Sequence, residues 1–214
     1  MIEKTVTYTH TNTYSTLNRL TPKTKNVWLV CHGMGYLSKY FIQHFKNLDP
    51  TENYIIAPQA PSKYYQDKKF KYVGASWLTK ENTDMEKENV LNYLDHVWKT
   101  ESAQWQGQEV RLIFMGYSQG VSIITRWIAR NTLSCDYLLL HSGAIPKELE
   151  TTDFAHLPAT TPVTYLYGDK DEYINEARKT EQQLKGSALF GVRLNVQVFD
   201  GVHEVHAPFI TNLT

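Results

Sequence analysis

Arg111-Leu-Ile-Phe-Met-Gly116-Tyr-Ser118-Gln119-Gly120-Val-Ser-Ile-Ile124 is the stretch on which the fold turns. A short apolar run leads into Gly-x-Ser-x-Gly, and a helix-compatible run comes at once after it. Strand, sharp turn and helix in that order make a nucleophile elbow, which pushes one serine hydroxyl out at the end of a sheet. Glycine is needed at positions 116 and 120 because the backbone is strained and a Cβ there would collide with the close-packed turn. The first turn of the helix also leaves N–H groups free to face a developing oxyanion. Ser118 is therefore expected to be a nucleophile rather than a plain helix N-cap.

Outward from the elbow, strand-like and helix-like segments alternate along nearly the whole chain. Strands are expected at 27–31, 54–57, 110–115, 137–140, 163–167 and 193–199, with 3–9 and 13–17 pairing as an N-terminal hairpin or edge pair. Helices are expected at 38–48, 83–99, 118–129 and 174–184, with a last short one after His203. The 83–99 helix opens on Thr83-Asp-Met-Glu86, which reads as a capping box, and Val90, Leu91, Leu94, Val97 and Trp98 form its apolar stripe. Such alternation implies an α/β fold, with a mostly parallel central sheet and helices on both faces. No internal repeat or linker interrupts it, so residues 1–214 read as a single domain. The 143–161 connection is too short for a separate lid domain. Residues 58–82 are a long stretch of little periodicity, and a compact domain seldom carries such a loop without a use for it.

Composition narrows the function classes. Lys+Arg 22 against Asp+Glu 22 leaves no net charge, so there is no electrostatic footprint for nucleic acid. The first residues lack the basic start and apolar core of a secretory signal. No run approaches the ~18 apolar residues of a membrane span, so no integral membrane segment is expected. Cys31 and Cys135 lie in apolar, strand-like segments and read as buried thiols. A cytoplasmic location is the expectation.

A serine hydroxyl is a weak nucleophile at neutral pH and needs an adjacent base, itself held by a third group. In this architecture acid and histidine come after the serine in that order, each in a loop beyond a strand. After the 163–167 strand comes Gly168-Asp169-Lys-Asp171, and after the 193–199 strand comes Asp200-Gly201-Val-His203-Glu-Val-His206. Asp171 is preferred over Asp169 as the acid, although either could be only a turn residue. His203 is preferred over His206 as the base. A metal is not expected, since His203 and His206 stand three apart with no third ligand nearby and Asp169-x-Asp171 lacks the later ligands of a calcium loop. Cys31 beside His32 fails as a nucleophile because it belongs to the strand itself. The oxyanion would be held by the Gln119 N–H and by one from His32-Gly-Met34-Gly35, with Met34 the expected donor.

Taken together, His32-Gly-Met34-Gly, Ala57-Pro-Gln-Ala-Pro61, Ser76-Trp77-Leu, Gly116-Tyr-Ser118-Gln-Gly120, Gly168-Asp-Lys-Asp171 and Gly201-Val-His203 resemble the carboxylesterase/phospholipase family of α/β-hydrolases. That family includes acyl-protein thioesterases and small bacterial esterases. The similarity runs from about residue 27 to residue 203. It implies Ser118 as nucleophile, Asp171 as acid, His203 as base, Met34 and Gln119 as oxyanion donors, and Trp77 in a loop flanking the acyl site. Trp77 reads equally well as a core aromatic. The chain departs from the family pattern at Val121, where a second glycine is usual, and at Tyr36, where an acid often stands. The expected activity is that of a serine hydrolase cleaving carboxylic esters or thioesters through an acyl-enzyme, with no cofactor. Its substrate would be a small-molecule ester or thioester, or an acylated protein. A peptidase or lipase of the same fold, and a catalytically silent binding protein, are the alternatives.

Overall fold

The computed structural model describes all 214 residues. In chain order the main elements are β1 (Tyr14–Leu17), β2 (Asn26–Cys31), α1 (Ser38–Phe41), β3 (Asn53–Pro58), β4 (Ser62–Tyr65), β5 (Val73–Ser76) and α2 (Thr83–Ser102). Next come β6 (Arg111–Tyr117), α3 (Gln119–Asn131), β7 (Tyr137–His141), β8 (Val163–Gly168), α4 (Glu176–Phe190), β9 (Leu194–Phe199) and α5 (Ala207–Thr211). Seven strands form one sheet in the order β1-β3-β2-β6-β7-β8-β9, parallel except for β1.

The continuous apolar runs explain the layers. Every residue of β2, β3, β7 and β8 is buried, as a strand covered on both faces requires. Successive side chains along β2 go to opposite sides. Leu29 and Cys31 join a core with Leu94, Ile124, Trp127 and Leu189 of α2, α3 and α4. Trp28 and Val30 join a second core with Phe41 of α1 and Ile210 of α5. That alternation is the period-2 geometry of a pleated strand between two helix layers.

The strand order positions the site. From β2 the chain turns to β3 on one side and later returns to β6 on the other, so the crevice between the ends of β2 and β6 is the topological switch point, where open α/β sheets bind ligands. Cys31 and Gly116 are in register there. The residues just beyond them, His32-Gly33-Met34 and Ser118, therefore emerge side by side.

Three local expectations are corrected. Residues 3–9 form no strand and are exposed, while β1 pairs antiparallel with β3. Val6 and Tyr8 share one face of the 3–9 alternation but remain exposed, whereas Tyr14 of β1 gains a hydrogen bond from its hydroxyl to buried Glu101 at 2.7 Å. The capping box at Thr83 does not form, because Thr83 is already helical and its hydroxyl donates back to the Thr79 carbonyl at 2.9 Å. Residues 58–82 are no structureless loop, since β4 and β5 pair there as an antiparallel hairpin.

Candidate active site

Ser118 sits between β6 and α3 with φ 52 and ψ −119, a backbone region that costs on the order of 1–3 kcal/mol for a residue with a side chain. The surroundings enforce it. A Cβ on Gly116 would lie 2.5 Å from the Gly120 carbonyl, and one on Gly120 would lie 2.0 Å from the Cys31 carbonyl of β2. Glycine at 120 thus lets α3 press against the neighbouring strand as well as its own. Gly143 makes a third close approach, 2.1 Å from the Ser118 carbonyl to its would-be Cβ.

Three side chains from three strand ends meet in one line. Ser118 Oγ lies 3.0 Å from His203 Nε2, and His203 Nδ1 lies 2.7 Å from Asp171 Oδ2. The Asp171 side chain is fully buried, and its other oxygen accepts the Tyr173 N–H at 2.9 Å. An ionised carboxylate can only accept, so Nδ1 carries the imidazole proton and Nε2 is left to accept from the serine hydroxyl. Tyr117 and Tyr173 flank the His203 ring, with centroids 5.3 and 4.7 Å away. Glycine matters here too: a Cβ on Gly168, at the end of β8, would meet the Gly201 carbonyl at 2.3 Å.

The competing residues are placed elsewhere. Asp169 Oδ1 accepts the Gly201 N–H at 2.9 Å, stitching the β8 loop to the β9 loop. His206 stacks on Phe199, 4.3 Å between ring centroids, and its N–H donates to His141 Nε2 at 2.9 Å. Cys31 is fully buried, and burial pushes its thiol far above the usual range. No group of three His, Cys, Asp or Glu residues has the arrangement to hold a metal ion.

The amides of Met34 and Gln119 donate no hydrogen bond inside the protein, although the atoms around them are tightly engaged. Gly35 N–H donates to the Ala75 carbonyl at 2.9 Å, and the Gly35 carbonyl accepts from Gln66 Nε2 at 2.7 Å. His32 is fully buried, with Nδ1–H donating to the Gly33 carbonyl at 2.7 Å and Nε2 accepting the Ala60 N–H at 3.1 Å. Burial lowers its pKa to about 4, which keeps the ring neutral and suited to both bonds. A Cβ on Gly33 would lie 3.0 Å from Ser118 Cβ, so this loop runs directly against the serine.

Trp77 corrects an expectation. It is 0% exposed, its indole N–H donates to the His32 carbonyl at 2.7 Å, and its ring packs 5.0 Å from that of His32. It supports the 32–35 loop from behind and presents no surface to a substrate. The Gln119 side chain braces the same region, accepting the Trp77 N–H at 2.8 Å and donating to the Leu78 carbonyl at 2.6 Å. Sequence reading missed this clamp, and it missed His141. The only signal for the latter was a histidine closing the apolar run Tyr137-Leu-Leu-Leu-His141.

A cavity of about 420 Å³ lies further along, lined by Ser122, Arg126, Ile145, Arg178 and Gln182. Neither Ser118 nor His203 lines it. It therefore contributes nothing to the geometry of the hydrogen-bonded line.

No curated protein matches the sequence. Among solved structures, Zea mays acyl-protein thioesterase 2 superposes with TM-score 0.68 at 14% identity, covering 95% of this chain and 96% of that one. A phospholipase/carboxylesterase from Dyadobacter fermentans gives 0.63 at 20% identity, covering 96% and 97%. The Bacillus cereus carboxylesterase gives 0.61 at 15% identity, covering 94% and 91%. At such identities the likeness is one of fold. The sequence itself matches the phospholipase/carboxylesterase family model over residues 13–210, and the chain belongs to that family of α/β-hydrolases.

Proposed function

We propose that this chain, acting as a single domain over residues 1–214, is a serine hydrolase that cleaves carboxylic esters or thioesters through an acyl-enzyme on Ser118. The observation that carries the reading is the unbroken line from Asp171 through His203 to Ser118, at 2.7 and 3.0 Å, beside two amides with no other partner. Ser118 Oγ attacks the acyl carbon while its proton passes to His203 Nε2. Asp171 holds the ring and offsets the charge of the imidazolium. The carbonyl oxygen, now carrying the negative charge, accepts from the Met34 and Gln119 N–H groups. When the carbonyl re-forms, the bond to the leaving alcohol or thiol breaks, and His203 returns the proton to it. Water then repeats the sequence on the acyl-serine, releasing the carboxylic acid and restoring Ser118. Every step uses groups of this chain and none needs a cofactor.

The β4–β5 hairpin supplies the variable wall. Gln66 within it bonds the Gly35 carbonyl, and the Tyr64 hydroxyl comes within 3.8 Å of where a Gly35 Cβ would stand. Met34, next to Gly35 in the 32–35 loop, is 62% exposed. Apolar surface at this mouth suits an acyl chain, so the hairpin selects among substrates rather than taking part in the chemistry.

The decisive experiment treats the protein with a fluorophosphonate and then screens matched oxygen and sulfur esters of increasing acyl length. One covalent label on Ser118, absent from Ser118→Ala, together with hydrolysis in the same series, is the expected result. A label mapping to another serine or to Cys31 would refute the assignment.

A further inference from the structure

The strand β7 is apolar until its last residue. There the wholly buried His141 closes it, in a position where a strand covered on both faces ordinarily carries another apolar side chain. Both ring nitrogens are engaged. Nε2 accepts the His206 N–H at 2.9 Å, so Nδ1 carries the proton, and it donates to Ser142 Oγ at 3.1 Å. Tyr117 and Phe199 close edge-on around the ring, with centroids 5.1 and 5.7 Å away. Burial, reinforced by neighbouring His206, His203 and His44, lowers the pKa of His141 to about 3 and keeps it a neutral acceptor.

Two parts of the site converge on this one residue. The His141 carbonyl accepts the Ser118 N–H at 2.8 Å, and its ring accepts the N–H of His206, three residues beyond His203. Ahead of His203 the loop is tied to the end of β8, with Gly201 N–H donating to Asp169 Oδ1 and Lys170 N–H donating to the Gly201 carbonyl, both at 2.9 Å. Behind His203 the hydrogen bond to His141 ties the loop back to the sheet.

Resting on the roles assigned above to Ser118 and His203, we infer that His141 is a positioning residue: its carbonyl holds the nucleophile's backbone and its ring holds the loop that bears the base. It sets the 3.0 Å separation of Ser118 Oγ from His203 Nε2 while touching no reacting atom. Displacing a reacting group by about 1 Å costs up to a hundredfold in rate. Removing the acceptor would also leave the His206 N–H unpaired, a state that disfavours the native loop.

The test compares His141→Leu, His141→Asn and His141→Gln. The glutamine oxygen reaches the place of Nε2; the asparagine oxygen reaches only that of Nδ1. On a soluble p-nitrophenyl ester, the leucine and asparagine variants should lose roughly ten- to a hundredfold in kcat. KM should stay within about threefold, and His141→Gln should keep kcat within about threefold of the parent. Fluorophosphonate acylation should slow in parallel with kcat. Amide hydrogen exchange at 203–206 should quicken in His141→Leu and His141→Asn but not in His141→Gln. If the leucine variant fails to fold, the asparagine–glutamine pair decides. Equal kcat in that pair, or unchanged exchange at 203–206, overturns the inference while Ser118→Ala still abolishes turnover. A wild-type protein that hydrolyses no ester and takes no fluorophosphonate defeats the hydrolase reading instead, and catalytic positioning with it.

Discussion

The elbow and the β4–β5 hairpin each hold a residue with a side chain at positive φ, Ser118 at 52° and Phe70 at 55°, yet they are opposite kinds of structure. Ser118 is hemmed in by β2, β6 and β7 through Gly120, Gly116 and Gly143, none of which has room for a Cβ. Phe70 lies in an exposed turn formed by its own neighbours, where Asp67 Oδ1 accepts the N–H groups of Lys69 and Lys71. All of β4 is exposed, and Tyr65, Phe70 and Tyr72 show more than half of their surface to solvent. Strain can persist where several strands over-determine the backbone. A hairpin tip held by its own turn can change its side chains without disturbing the sheet. The two regions touch at the base of the hairpin, where the Ser76 hydroxyl at the end of β5 donates to Gln119 Oε1 at 3.3 Å.

This contrast yields unequal mutational effects. Ser118→Ala should abolish labelling and lower kcat by about 10⁴–10⁶, measured by steady-state hydrolysis. Activity surviving in that variant would mean the strained serine is not the nucleophile. Within the acid pair, Asp171→Asn should cost on the order of 10⁴ in kcat. Asp169→Asn, which alters a loop stitch, should cost far less. Likewise His203→Ala should be inactive where His206→Ala remains active, and reversed ranks would break the assignment.

Stability should divide along the same line. Trp77→Ala removes a wholly buried indole and should cost about 3–5 kcal/mol, whereas Phe70→Ala on the exposed tip should stay within about 0.5 kcal/mol. Denaturant melts of the two variants check this, and a wild-type midpoint for Trp77→Ala would place that ring outside the core.

The buried histidines also set a pH dependence. Folding holds His32 near a pKa of about 4 and His141 near about 3, both below their unfolded value. The unfolded chain then binds more protons below about pH 6.5, so stability should fall as pH drops from there toward 4. His141→Gln should flatten that decline, and Tm measured across the pH range would reveal it. The smallest effect belongs to the hairpin. Tyr64→Ala should change the ratio of acetyl to octanoyl ester hydrolysis by about an order of magnitude at most, with Ser118 labelling intact. An unaltered ratio would remove the hairpin from substrate choice.

The order of strands and helices and the three chemical residue types were legible in the sequence because they rest on local rules. Apolar runs of four or five residues announce doubly covered strands, and Gly-x-Ser-x-Gly between a strand and a helix announces an elbow. Position after a strand end together with the family resemblance preferred Asp171 and His203, and these are the members of each pair that join the line to Ser118. Where the sequence misled, non-local contacts competed with local pattern. The N-terminal alternation at 3–9 found no partner, because β3 offered residues 14–17 a better edge. The Thr83 capping box yielded to a bond with a carbonyl outside the helix. Trp77 looked as suited to a substrate wall as to the core until the fold closed His32 over it. Only the tertiary structure could decide that His141, 23 residues from Ser118 and 65 from His206, holds both. Periodicity reports which face of an element is covered. The bonds that align a serine with a histidine 85 residues away depend on strand order and register, which exist only once the sheet has formed.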